Sequence, residues 1–291
     1  MTGQSQAGTV FPKFLLFIIP GVAVYTLFLV APVVQASFYS FFAWNGFGAP
    51  DQYLGTANYE GVLSDRLFWK AFVNNLILIA FMFVTILPIA FGLAVLISDR
   101  IRFAVAFRLI YFLPFVLAEI TAGLIWRYLL DGNYGLVAEI FPGSFVLAEP
   151  QLALYAVATV MVWKSFGFHL VLFIAGLQQI DRTLYEAADI DGASAWQRTW
   201  RITLPLLGPT VALSGFFIVI NSLQAFDIIM AMTSGGPARA TSTMVHYLYA
   251  DALSGFRVGF GSAIGVVIFL ITLVFALTYQ RVTKKLDTVH G

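Results

Sequence analysis

The sequence predicts an all-α integral membrane protein with six transmembrane helices, and three observations carry that prediction. Sixty per cent of the 291 residues are hydrophobic and only 11% are charged, with a mean hydropathy of +0.87. That is too little charge to cover a water-soluble domain of this size. Six apolar runs each approach the roughly 20 residues that cross a ~30 Å hydrocarbon core. None has the ~10-residue alternation of a membrane β-strand.

The runs lie at about Phe14–Ala36, Val73–Ile97, Phe107–Leu130, Leu152–Leu177, Leu206–Met232 and Gly261–Tyr279, and they read as one transmembrane domain covering the whole chain. The first ends in Val34-Gln35-Ala36, a small-residue pattern like a signal-peptidase site. Its 23 residues exceed the ~7–15 of a signal-peptide core, so it reads as a retained anchor. Pro20, Pro32, Pro88, Pro114 and Pro209 fall within or at the ends of runs. Spanning helices tolerate lone prolines because neighbouring groups satisfy the freed carbonyls.

Lys and Arg set the orientation, because cytoplasmic segments hold the excess. With the N-terminus in the cytoplasm, the inner segments carry ten: Lys13, Arg100, Arg102, Arg108, Arg182, Arg198, Arg201, Arg281, Lys284 and Lys285. The outer segments carry four: Arg66, Lys70, Arg239 and Arg257. Both termini are therefore expected inside, together with the 28-residue segment Gln178–Pro205.

That segment is the most ordered polar pattern in the chain. Leu184, Ala187 and Ala188 share one face of a short helix. Gly192 stands where a left-handed C-terminal cap is needed, a state that glycine adopts readily. Ser194 with Gln197 three residues on is a capping-box signature for a second helix. Pro205 suits the first turn of the next span. Physical reading leaves two uses open: an interfacial hairpin anchored by Trp196 and Trp200, or a knob presented to a partner.

Glu186-Ala187-Ala188, Gly192 and Ile202-Thr203-Leu204-Pro205 resemble, at matching spacing, the cytoplasmic EAA motif of permease subunits of bacterial binding-protein-dependent ABC importers. The stretch Leu184–Ser194, Thr233-Ser234-Gly235-Gly236-Pro237 and Leu113-Pro114 resemble the carbohydrate branch, of maltose and glycerol-phosphate type. The resemblance covers nearly the whole chain. It implies a type I importer permease fold in the bacterial inner membrane, with Glu186, Ala187, Ala188, Asp189, Gly192, Ile202, Leu204 and Pro205 docking a separate ATPase. It further implies a second permease, two cytoplasmic ATPases that bind ATP and Mg, and a periplasmic or lipid-anchored binding protein that delivers a sugar-like solute. The chain itself is expected to hold no cofactor. It lacks the Gly-x4-Gly-Lys-Ser/Thr phosphate loop, so it is not an ATPase. The long segment Ser37–Phe72 and the Gly-Gly-Pro loop resemble the first permease of a heterodimer.

Ionisable groups inside spans are costly and mark cavities or partners. Glu119 and Lys164 sit near the middle of the third and fourth runs, and Arg127 and Asp227 near the ends of the third and fifth. Arg127 can snorkel to the headgroups or pair with Asp227, and Lys164 can pair with Glu119 or meet a solute. Glu119 departs from the small or apolar residue expected in such permeases. The resemblance places the sugar path on Met161, Ser165 and Phe168 of the fourth run and on Asn221, Ser222, Gln224 and Ala225 of the fifth. These serve equally as interhelical hydrogen-bonding and packing residues.

Other classes find little support. There is no cysteine, which excludes disulfides and thiol chemistry. His169, His246 and His290 have no metal-ligand spacing, and His169 reads as a packing or cavity-lining residue. The net charge of +1 gives no footprint for nucleic acid. The rival reading is a self-sufficient carrier or channel driven by an ion gradient, with Glu119, Lys164 and Asp227 as carriers; a membrane-embedded enzyme is a further alternative without a motif.

Overall fold

The computed structural model describes residues 10–98 and 104–287. Arg100, Arg102 and His290 lie outside them. Among the described residues the regular elements are all helices, joined by turns and irregular loops, with a single isolated bridge between Phe42 and Tyr53. The chain forms two compact units: one runs up to Ser64 and adds Leu248–Val267, the other holds Asp65–Tyr247 and the residues from Ile268 onward.

The first unit opens with one long helical rod. Helix α1 (Val10–Tyr25) passes through a π-helical stretch, Thr26–Val30, into α2 (Ala31–Tyr39). The stretch Ile18–Tyr39 is long and apolar enough to cross a membrane, and no residue of its apolar window is buried within the chain. An all-round apolar helix with no protein cover is stable only against lipid or another subunit. Beyond it, Asn58 Nδ2 donates to the Ser40 and Phe42 carbonyls at 2.8 and 3.0 Å. Those bonds fix the following polar segment to α3 (Ala57–Ser64).

The second unit is built on α4 (Arg66–Ser98). Its buried residues Leu78, Met82, Ile86, Ala90 and Ala94 recur every four positions, a single helical stripe. They belong to one apolar core with Leu154, Val157, Met161, Leu170 and Phe173 of the 28-residue helix Pro150–Leu177. Between these helices come α5 (Ala104–Val116), α6 (Glu119–Leu129) and the short α7 (Leu136–Ile140), so Pro150–Leu177 is α8. The polar hairpin holds α9 (Arg182–Ile190), α10 (Ala195–Arg198), a π-helical Thr199–Thr203 and α11 (Leu204–Leu206). Then follow α12 (Gly208–Leu223), α13 (Asp227–Met232), α14 (Met244–Tyr247) and α15 (Val258–Asp287).

Among the described residues, four helices are long and apolar enough to span: Ile18–Tyr39, Arg66–Ile97, Pro150–Leu177 and Val258–Arg281. Two bent pairs bring the number to six if each pair is one span. The third run, expected as one continuous helix, is broken: Phe107–Val116 and Glu119–Leu129 meet at 99°. A proline kinks the turn before itself, but this break falls after Pro114, where Ala118 is extended (φ −59°, ψ 141°). Packing accounts for it. Helix α6 lies against α13 at Gly123, where a Cβ would meet the Ile228 carbonyl at 3.3 Å and collide with Ala231. The fifth run is likewise divided, α12 giving way to α13 across Gln224–Phe226.

Candidate functional site

The hairpin between α8 and α12 satisfies its own backbone. Asp181 caps α9, its Oδ1 accepting from the Thr183 amide at 3.0 Å. That bond holds the Asp181 carboxyl below the usual carboxylate range. At the other end Gly192 is left-handed (φ +74°), and the Ala193 amide returns to the Ala188 carbonyl at 2.9 Å. A glycine is needed there for its backbone, since a Cβ would meet nothing within 4 Å. The expected capping box exists. Ser194 N donates to Gln197 Oε1 at 2.8 Å, and Gln197 N donates to Ser194 Oγ at 3.3 Å.

Two side-chain contacts lock the arms together. Arg198 Nη1 pairs with Asp189 Oδ1 at 2.5 Å, and the Tyr185 and Thr203 hydroxyls bond at 3.0 Å. Neither partner follows from sequence, because the pairs lie 9 and 18 residues apart. Of the motif residues, Ala188 is buried and Ile202 and Leu204 are half-buried, while Glu186, Ala187, Asp189, Gly192 and Pro205 are exposed. A cleft of about 400 Å³ lies between the arms, lined by Ala188, Gly192, Gln197, Arg198, Arg201 and Ile202. The apolar side chains Leu184, Ile190, Trp196 and Trp200 stay exposed, Ile190 at 87%. The hairpin is thus internally complete and offers its outer surface.

The mid-span candidates separate into groups. Lys164 and Glu119 come together, Nζ to Oε1, at 3.7 Å, with the lysine side chain 10% exposed and the glutamate 49%. Lys164 Nζ also stands 5.5 Å from the Phe115 ring centre. Phe115 stacks on Phe168 at 5.0 Å and 16°. Gly167 allows this meeting of α5 and α8, since a Cβ there would run into the Tyr111 backbone. Phe115 had no signal in the sequence, being one of 29 phenylalanines.

Met161 and Ala225 are buried in the core cluster. Ser165 is buried and donates to the Met161 carbonyl at 2.7 Å. Ser222 donates to the Ile218 carbonyl at 2.7 Å and touches Met82 Sδ at 3.3 Å. Asn221 and Gln224 are exposed and Asp227 is half-buried. Arg127 is exposed, and among the described residues it forms no ion pair with Asp227. His169 is fully buried, with Nδ1 against Ser214 Oγ at 2.7 Å and Nε2 without a hydrogen-bond partner. His169 is therefore a packing residue here.

A second polar cluster, unforeseen in the sequence, surrounds Asn74 and Asn75. Asn74 Nδ2 donates to the Ala240 and Ser242 carbonyls at 3.0 and 2.8 Å. Asn75 donates to the Ser222 carbonyl at 2.6 Å and accepts from the Met244 amide at 3.0 Å. The adjacent amides in an apolar run were its only sequence signal.

The fold and the hairpin define a helical, multi-pass membrane protein with a self-capped polar hairpin between two apolar segments. The particular family follows from comparison: the sequence profile of the binding-protein-dependent transport system inner membrane components matches residues 57–288, and the chain belongs to that family. It is 33% identical over 278 residues to the sulfoquinovosyl glycerol transport permease of Agrobacterium fabrum, covering 94% of this chain and 90% of the relative. It is 36% identical over 281 residues to the diacetylchitobiose uptake permease of Streptomyces coelicolor, covering 90% and 80%. Its fold matches a chain of a bacterial alginate ABC transporter, crystallised with an alginate pentasaccharide-bound periplasmic protein, with a TM-score of 0.82 and 22% identity, over 97% of this chain and 99% of that one. The chain is therefore a multi-pass permease subunit of an ABC importer and not an enzyme. The family lends no support to a gradient-driven carrier.

Proposed function

We propose that this chain forms half of the path of an ATP-driven importer for a carbohydrate or sugar-derived solute, with the Gln178–Pro205 hairpin coupling it to ATP hydrolysis. The observation that carries the coupling role is the hairpin itself. Its backbone bonds are closed by Asp181, Gly192 and the Ser194–Gln197 box, yet its motif residues Glu186, Asp189 and Gly192 stay exposed. A polar surface that needs nothing from its own chain is free for a partner. The Lys and Arg asymmetry puts both termini and the hairpin in the cytoplasm.

The full transporter then holds a second permease, two ATPases carrying ATP and Mg, and a binding protein that delivers the solute from outside. The carbohydrate class rests on the relatives, which carry sulfoquinovosyl glycerol, diacetylchitobiose, sn-glycerol-3-phosphate and trehalose/maltose in their names. The aromatic pair Phe115–Phe168 beside a charged pair has the mixed apolar and polar character that a sugar site requires.

The test is uptake. A thermal-shift screen of the cognate binding protein against neutral, acidic and phosphorylated sugars selects the solute. Proteoliposomes holding the complete transporter should then accumulate it only with internal ATP. The chain alone should neither take it up nor hydrolyse ATP; uptake by the chain alone under a proton or sodium gradient would overturn the reading.

A further inference from the structure

We infer that the Glu119–Lys164 pair is a charge filter on the translocation path, admitting neutral, hydroxyl-rich solutes and turning anions away. This rests on the carbohydrate-import reading, for which it names the solute class. Lys164 lies midway along α8 and is almost wholly buried, whereas half of the Glu119 side chain is open. A carboxylate at that depth is not stable against acyl chains. A second feature points the same way. Ala118 is extended and exposed at the break between α5 and α6, and at membrane depth such non-helical backbone persists only inside protein or along a water-filled cavity.

The arrangement gives each member a task. Glu119 is the first residue of α6, and its Oε1 stands 3.7 Å from the Lys164 Nζ. Lys164 is covered by Glu119 and by the Phe115 ring, so a solute meets the carboxylate and not the ammonium. A carboxylate only accepts hydrogen bonds. Sugar hydroxyls can donate to it, while a phosphate, sulfonate or uronate brings like charge to an acceptor with nothing to donate. The stacked, half-buried Phe115 and Phe168 stand beside it as an apolar wall for the ring face of a sugar.

Because the chain has no cysteine, Ala118→Cys places a single thiol next to the pair. The complete transporter is reconstituted in proteoliposomes. Labelling of this chain is timed with two methanethiosulfonate reagents of similar size, anionic sulfonatoethyl and cationic trimethylammonium-ethyl. Both should react, at rates that change at least about fivefold between nucleotide-free and ATP–vanadate-trapped transporter. Relative to their rates on a free thiol, the cationic reagent should be favoured. Adding Glu119→Gln should shift the preference roughly tenfold toward the anionic reagent, and Lys164→Met should shift it the other way. The double variant Glu119→Gln/Lys164→Met leaves no lone charge, so it serves if either single variant fails to assemble, and it should return the free-thiol ratio. A thiol at 118 that resists both reagents in every state, or a cationic preference that survives in the double variant, overturns the filter. No transported solute is used, so labelling can fail while sugar uptake stands, or succeed while sugar uptake fails.

Discussion

Two polar segments flank the fifth apolar run, and the chain treats them in opposite ways. The loop after it, Thr233–Thr243, is pulled into the protein. Asn74 holds the Ala240 and Ser242 carbonyls, and Lys70 Nζ reaches the Ala238 carbonyl at 2.9 Å. Thr243 Oγ1 reaches the Ala225 carbonyl at 2.6 Å, and Thr241, Ser242 and Thr243 are buried. Ser234, Ala238 and Arg239 are held at positive φ, a strained state for residues with a Cβ that persists only where surroundings over-determine it. The hairpin before the run makes its bonds within itself and stays outside. Polar sequence by itself therefore does not mark a docking surface. The difference lies in where the hydrogen-bond partners come from: distant helices in the loop, the segment itself in the hairpin. One is scaffold, and the other is free to be gripped.

The largest effect should come from breaking the scaffold. Asn75 is fully buried and serves both the Ser222 carbonyl and the Met244 amide. Asn75→Leu keeps the branched heavy-atom skeleton but strands both groups, each costing about 1–3 kcal/mol when buried without a partner. The purified protein in detergent should melt several degrees lower and yield less monodisperse material. Glu186→Lys, on the exposed hairpin, should leave melting unchanged. Equal melting of Asn75→Leu and the parent would show that the loop is held by something other than these amides.

The next effect is functional and isolates the free surface. Gly192 has open space around it, so substitution there strains only the backbone. Asn tolerates a left-handed backbone better than most residues, and Gly192→Asn should keep most ATP-dependent uptake. Gly192→Glu adds bulk and charge to the exposed turn and, if that face docks a partner, should lower uptake at least about tenfold, with normal amounts in the membrane; that ratio corresponds to about 1.4 kcal/mol. If both variants lose uptake equally, the turn matters only for its conformation and the docking role of this face is wrong.

The contrast also sorts what the sequence could reveal. Gly192, Ser194 and Gln197 were legible because caps obey local rules that span three or four residues. Glu119 and Lys164 were legible as ionisable groups at one depth, but their contact was not, since it depends on how α6 and α8 meet. Phe115 and the Asn75 bridge to Ser222 and Met244 were hidden for the same reason: their partners lie far off in sequence. The 99° break at Leu117–Ala118 was hidden because the two halves together pass as one apolar run, and hydropathy carries no record of direction. The fold class and the caps of the hairpin were open to reading; the mid-span contacts depended on tertiary packing.

The smallest effect concerns the cap that makes the hairpin self-sufficient. Asp181 Oδ1 accepts the Thr183 amide, and this lowers its pKa beneath the ordinary value of 3.8. A depressed carboxyl contributes stability that is fully present above its unfolded value and is lost as pH falls through the folded one. The first turn of α9 should therefore exchange its amide hydrogens at a pH-independent opening equilibrium from about pH 5 to 8. Protection of that turn should fall only below pH 3.8. Asp181→Asn keeps an accepting oxygen and should retain the protection while removing the acid step, whereas Asp181→Ala should lose it at every pH. Hydrogen exchange followed by mass spectrometry on the α9 peptide reads all three, after correction for intrinsic exchange. An acid step that persists in Asp181→Asn would assign the effect to another carboxyl, with Glu186 and Asp189 in the same helix as the next to replace.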